Sequence, residues 1–289
     1  MLPVTFFIKE WIKHANVTGI AAGNIATVSI PVGRTVHGIQ LRCLTGAGVE
    51  LTRAQILADV SDVTARLDGE AIITADATFL LDLQKYYGDA DVAGNVDGII
   101  PIDFAPRSLL SDEARSVYAL GTAGAKSLTL DIKVVGVVQL ASIEVRTLST
   151  PEKRILGRHI KIRKYAQSFA TTGEQEVNSL PLIGKTAGYR AIHISEGSGT
   201  IDQVNIKRNS VDIYDEMPTK AQQVFLANRK RTVQSGYAHA DFGEADHSGA
   251  FLPMAGVQDL RVNITWNVAA GAPGNYTLYA EEVHGLVVA

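Results

Sequence analysis

Cysteine is nearly absent: Cys43 is the only one in 289 residues. That excludes an internal disulfide and points to folding in a reducing cytosol. Cys43 lies in the apolar stretch Ile39 to Leu44 with no histidine close in sequence, so it reads as a small buried hydrophobe rather than a nucleophile. No run is apolar enough to span a bilayer as a helix. Charge of one sign is also missing: 27 basic residues against 30 acidic ones leave a formal net charge of −3. No global field therefore draws the chain to nucleic acid or anionic lipid, and sequence-specific nucleic-acid binding is not expected. Met1 to Ile8 has no basic flank, and Lys9 and Lys13 interrupt the residues beyond it, so the expectation is cytoplasmic synthesis without a secretory leader.

Catalytic signatures are missing as well. A cupin needs a His-x-His pair to converge on one metal ion. Pro31 to His37 resembles the second cupin motif, but no His-x-His occurs in the chain. Gly184-Lys185-Thr186 and Gly121 to Ser127 resemble phosphate loops, yet their glycines are misplaced and strands follow where a helix N-terminus is required. No Ser, His and Asp arrangement recommends itself. The sequence therefore reads as that of a protein that is not an enzyme.

What is present is a repeat of β-structure. Short alternating runs rich in Val, Ile and Thr dominate from Gly19 onward, punctuated by Gly, Asn and Asp. Val63 to Leu67 turns at Asp68-Gly69 and returns to Thr74, while Val204 to Arg208 turns at Asn209-Ser210 and returns to Tyr214. Both turns are two-residue types that tolerate positive φ. A helical segment follows each hairpin, Asp76 to Tyr87 in one half and Pro218 to Arg231 in the other. The Asp-Phe pairs Asp103-Phe104 and Asp241-Phe242 come next, then the alternating strands Leu128, Leu130, Ile132, Val134 and Val262, Ile264, Trp266, Val268. Ile39-Gln40-Leu41 matches Ile192-His193-Ile194. The prediction is an all-β chain of two tandem eight-stranded jelly-roll β-sandwiches, residues 19–150 and 151–289, each with a helix inserted after its fourth strand.

Residues 1–18 differ in kind. Val4, Phe7, Ile8, Trp11, Ile12 and Ala15 fall on one helical stripe, predicting a short amphipathic N-terminal helix or arm. Phe7, Ile8, Trp11 and Ile12 would then meet a membrane or a neighbouring subunit, or pack on their own domain. Lys161, Arg163 and Lys164 belong to a basic run whose alternation with Ile160 and Ile162 puts cations on one strand face, a second candidate contact. Asp89, Asp91, Asn95 and Asp97 offer oxygen ligands on a Gly-rich loop and are the candidate structural calcium site, without EF-hand spacing. His239, Asp241, Glu244, Asp246 and His247 form the densest group of metal-ligating residue types and read better as a solvated loop tip.

Two such sandwiches in tandem resemble the double jelly-roll major capsid proteins, and the coat protein of the corticoviruses in particular. The likeness rests on Asn16-Val17, Ala21 to Asn24, Ile30 to Gly33, Ala119 to Gly124, Gly188 to Ile194 and Gln258 to Arg261, in the same order along the chain. The loops at 89–97 and 241–248 do not match clearly, so no calcium ligand is carried over. The resemblance implies a coat protein of an icosahedral bacteriophage with an internal membrane, located in the virion. It also implies homotrimers of nearly hexagonal outline that meet neighbouring capsomers, vertex (penton) and minor capsid proteins and the viral lipid. The rival reading is a two-module carbohydrate-binding or adhesin-like protein.

Overall fold

The computed structural model describes residues 8–88, 98–105, 109, 112–170, 172–177, 180–197, 199–243, 250–267 and 274–285. The chain divides into two compact units, Met1–Lys85 with Asp89–Ile160, and Tyr86–Gly88 with Lys161–Ala289.

In the first unit one sheet has the order β1 (Glu10–Lys13), β9 (Ser142–Thr150), β3 (Thr35–Leu44), β6 (Ile99–Asp103), with β7 (Leu120–Gly121) also on β3. The other runs β2 (Ile25–Ile30), β8 (Leu128–Val134), β4 (Val60–Leu67), β5 (Glu70–Asp76), antiparallel throughout. The second unit repeats both. Its first sheet is β10 (His159–Phe169), β18 (Gly274–His284), β12 (Gly188–Ser195), β15 (Tyr237–Asp241), with β16 (Leu252–Pro253) on β12. Its second is β11 (Gly173–Glu176), β17 (Leu260–Asn267), β13 (Thr200–Arg208), β14 (Val211–Pro218). This twice-written order is that of a jelly roll.

Period-2 alternation places the core. Leu128, Leu130, Ile132 and Val134 are fully buried along β8, and Val262, Ile264 and Trp266 along β17. In the second unit the Trp266 ring stacks on Phe169 at 4.4 Å, and truncating so large a buried ring costs about 3–5 kcal/mol. Cys43 is buried, and burial pushes its thiol up to about 12.

The repeat extends to single turns. Asp68 and Asn209 both adopt positive φ, followed by Gly69 and Ser210 in the same region, as the hairpins require. Asp68 Oδ1 accepts hydrogen bonds from the amides of Lys126 (2.6 Å) and Ser127 (2.9 Å). Asn209 Oδ1 accepts from Gln258 (2.8 Å) and Asp259 (3.1 Å) in the same way.

Three expectations change. Residues 10–13 are a strand, not helix: Trp11 pairs with Leu148 and Ile12 with Thr147, and Ala15 of the expected stripe is exposed. A lone helix of this length is marginal in water, whereas β9 offers a full ladder to pair with, and tertiary context prevails. The Lys13 ammonium also meets Glu144 at 2.7 Å, and Glu10 pairs with Arg34. Because β1 is the first strand of its jelly roll, α2 (Ala77–Tyr86) follows the fifth strand rather than the fourth, as does α4 (Thr219–Asn228) after β14. Two short helices, α1 (Arg53–Asp59) and α3 (Asp112–Tyr118), are additional to the expected one in the first unit. The first is fixed by a capping box: Thr52 Oγ1 accepts from the Gln55 amide and Gln55 Oε1 from the Thr52 amide.

Candidate functional site

The residues singled out from sequence scatter. Asp89, Asp91, Asn95, Asp97 and Phe7 lie outside the described residues, as do Glu244, Asp246 and His247. Among the described residues no group of three His, Cys, Asp or Glu is placed to hold a metal ion. Also among them, no helix is long and apolar enough to cross a membrane. Lys161 is buried and Arg163 and Lys164 are half-buried, so the expected open basic strand face is not formed. Strand alternation alone could not show this, because it orders faces without saying which are covered. Ile8 and Trp11 are exposed, at 83% and 52%, and Ile12 is half-buried.

What the fold does bring together is one face of β15, β12 and β18 in the second unit. A register irregularity at Arg190 separates the pair Tyr189–Glu282 from Ala191–Glu281. Ala191 lies opposite both Asp241 and Glu281, and His193 opposite both His239 and Tyr279. Arg190, His193, His239, Asp241 and Glu281 are thereby gathered on a surface that is almost wholly buried. The residues Tyr86 and Tyr87 cover it. Tyr86 stacks on His239 at 4.3 Å and donates its hydroxyl to Asp241 Oδ2 at 3.0 Å, while Tyr87 donates to Glu281 Oε1 at 2.7 Å. Arg231 Nε donates to Asp241 Oδ2 at 2.8 Å, and the Gly243 amide to Oδ1 at 2.8 Å. Arg190 lies over the Tyr87 ring at 5.6 Å with its Nε 3.6 Å from Glu281.

Each buried charge here has a counter-charge, which is the condition for keeping ions out of water. His193 holds Glu281 Oε1 at 3.0 Å through Nε2 and His239 Nδ1 at 2.7 Å through Nδ1. Burial, and the neighbouring His193, hold the His239 imidazole well below the usual histidine range. Burial also drives the Tyr86 and Tyr87 hydroxyls well above the phenol range, reinforced by Asp241 and Glu281 respectively. The cluster locks the face; its neutral histidine and protonated phenols are what a dry, rigid setting favours. From the sequence His239 and Asp241 read as part of a solvated loop tip; instead both lie buried in β15, paired with β12. Their partners come from β12, β18, Tyr86 and Arg231, too far apart in sequence for spacing to reveal.

Among the described residues the equivalent face of the first unit is less fully covered: Gln40, Asp103 and Leu148 are half-buried, His37 and Pro101 buried. Its register breaks at His37, between Val36–Ser149 and Gly38–Leu148, and Gly38 lies opposite both Asp103 and Leu148. His37 thus stands where Arg190 does, Asp103 where Asp241 does, Leu148 where Glu281 does and Gln40 where His193 does. Here a cleft of about 250 Å³ is lined by Trp11, Gln40, Asp103, Ala105, Arg115 and Leu148, among others.

Two jelly rolls with one strand order, each with a helix after its fifth strand, define the double jelly-roll class. The fold matches the crystal structure of the major capsid protein P2 from bacteriophage PM2 with a TM-score of 0.80 at 17% identity, covering 97% of this chain and 98% of that one. It matches a structure of Sulfolobus turreted icosahedral virus with a TM-score of 0.68 at 12% identity, covering 96% and 91%. It matches the PBCV-1 virus capsid with a TM-score of 0.64 at 11% identity, covering 100% and 98%. No curated protein sequence matches the chain. Residues 11–147 match the family of the viral coat protein P2 N-terminal domain and residues 160–286 that of the viral coat protein P2 C-terminal domain. The chain belongs to the viral coat protein P2 family, and its role is structural.

Proposed function

We propose that the chain is the major coat subunit of an icosahedral virion and assembles as a homotrimer whose six jelly rolls tile the shell as a hexamer would. The observation that carries this reading is the duplication itself. Both units repeat the strand order, the register break at His37 or Arg190 and the clasped hairpin turn. A threefold axis acting on a duplicated chain presents six alike bodies from one gene, which suits a lattice of near-hexagonal tiles. An internal membrane, vertex proteins and minor capsid proteins belong to the same reading through the likeness to corticovirus coat proteins. The carbohydrate-binding alternative is disfavoured by membership of a coat-protein family along most of the chain.

Light scattering on the purified chain tests the trimer, with an expected mass of about three times 30.9 kDa. A mass of one or two copies at micromolar concentration would refute it. Flotation of the trimer with phospholipid vesicles tests the membrane contact separately.

A further inference from the structure

We propose that segment 151–157 of the first unit is a lipid-facing loop: Ile155 and Leu156 enter an anionic phospholipid surface while Lys153 and Lys126 meet its phosphates. The proposal rests on the internal-membrane reading and names the surface that makes the contact. Six of the twelve residues from Lys153 to Lys164 are basic and none is acidic. The far end of that run is withdrawn from solvent, since Lys161 is buried and Arg163 and Lys164 are half-buried. Its near end stays outside. Lys153 is exposed, and the two residues beyond Arg154 are exposed aliphatics, Ile155 at 73% and Leu156 at 41%.

The backbone enforces this exposure. Thr35 Oγ1 donates to the Glu152 carbonyl at 2.9 Å, and the Ala123 amide donates to the Arg154 carbonyl at 2.9 Å. The Arg154 guanidinium donates in turn to the carbonyls of Ser116 and Val117 in the last turn of α3. Gly121 lies under the loop so closely that a Cβ there would stand 2.2 Å from the Ile155 carbonyl oxygen. The His159 ring meets the Gly157 carbonyl at 2.7 Å. A segment pinned along its length holds Ile155 and Leu156 outward, and they stay in water until another surface takes them.

Charge selects that surface. Lys153 and, on the adjoining turn 122–127, Lys126 are exposed, and their ammonium groups have no ion-pair partner among the described residues. The carboxylates alongside are Glu152 and Asp68, and Asp68 is engaged by the amides of Lys126 and Ser127. A protein partner would need a pocket shaped to the protruding pair. A bilayer needs none: aliphatic side chains enter among the acyl chains while cations stay at headgroup level. Val135, Val137 and Val138 are exposed too, but no charged residue lies between Val134 and Leu140. That loop therefore lacks half of the combination.

Flotation of the full chain tests the surface, with phosphatidylglycerol vesicles compared against phosphatidylcholine vesicles. The native chain should float with the anionic vesicles and detach as salt is raised. Ile155→Ser with Leu156→Ser should lower that binding about tenfold or more. Lys126→Glu with Lys153→Glu should abolish the preference for anionic lipid. All four positions are exposed, so circular dichroism should show both variants folded. Val137→Ser with Val138→Ser should float as the native chain does. If the native chain floats with neither vesicle, the membrane reading fails and takes the surface with it. If it floats but the serine variant at 155 and 156 floats equally well, or the valine control falls by as much, the proposed surface is wrong and the membrane contact lies elsewhere. Equal flotation of the native chain with both vesicle types would overturn the role of the lysines. Normal flotation of the serine variant with loss of the trimer would assign Ile155 and Leu156 to a contact between copies instead.

Discussion

The two units share a plan down to a register break and a turn clasp, yet they differ in what lies on one sheet face. In the second unit the face carries Arg190, His193, His239, Asp241 and Glu281, all buried under Tyr86, Tyr87 and Arg231. In the first the same positions hold His37, Gln40, Pro101, Asp103 and Leu148, of which Gln40, Asp103 and Leu148 are half-buried and line a cleft among the described residues. The apolar faces behind are alike, so the strand pairing and core fix the fold, while the opposite face is free to specialise. Polar residues on a covered face are costly unless matched, and the match makes a covering element specific rather than merely adhesive.

Breaking one ion in each copy should give the largest contrast. Asp241→Ala leaves Arg231, itself buried, without its carboxylate and removes the acceptor of the Tyr86 hydroxyl. The second unit should lose about 3–5 kcal/mol. Asp103→Ala, at the half-buried equivalent, should cost about 1 kcal/mol or less in the isolated chain. Hydrogen exchange at the amides of β12, β15 and β18 against those of β3, β6 and β9 would read each unit separately. Equal losses would show that the two faces contribute alike and that the contrast is only one of exposure.

Acid should separate the units next. His239 is held below its ordinary value of 6.5 by burial and by His193, so the unfolded chain binds a proton there that the folded chain refuses. Stability from this group is complete above about pH 6.5 and falls as pH drops toward the folded value, by about 1.4 kcal/mol per pH unit for one proton. Protection of β12 and β15 should therefore decline below pH 6.5 faster than that of β3 and β6. His239→Phe keeps a ring against Tyr86 and removes the proton, so it should flatten that extra slope whatever it does to stability at neutral pH. An unchanged slope would place the acid sensitivity elsewhere.

Much of this architecture was legible because its signals are local. Asp68-Gly69 and Asn209-Ser210 mark turns by their φ preferences, the alternation of Leu128 to Val134 marks a strand buried on one side, and Asp103-Phe104 with Asp241-Phe242 marks the repeat. What was hidden depends on partners distant in sequence. Trp11 and Ile12 suit a helical stripe and a strand equally, and only pairing with Leu148 and Thr147 decides between them. Reading β1 as helix also displaced the position of α2 by one strand. The capping box of Thr52 and Gln55 was a visible signal for α1 that the strand-rich surroundings masked. Lys161 looked solvated by type and is buried by placement. The buried cluster draws on Tyr86, β12, Arg231, β15 and β18, and no spacing rule joins residues that far apart.

The smallest contrast lies in the hairpin turns. Both need two consecutive residues at positive φ, and the first unit meets this with Asp68 at 50° and Gly69 at 83°. The second places Asn209 at 48° and Ser210 at 64°. Asparagine tolerates the left-handed region and uses its side chain to clasp Gln258 and Asp259. Serine has a Cβ that crowds the carbonyl there and no comparable compensation, whereas glycine has none to crowd. Ser210→Gly should therefore stabilise the second unit by about 0.5–1 kcal/mol, since relief of strain outweighs the added freedom of the unfolded chain. Gly69→Ser should destabilise the first by a similar amount. Exchange protection at the β13–β14 and β4–β5 amides would measure both, and a Ser210→Gly variant no more stable than the native chain would show that the turn is held by its clasp alone.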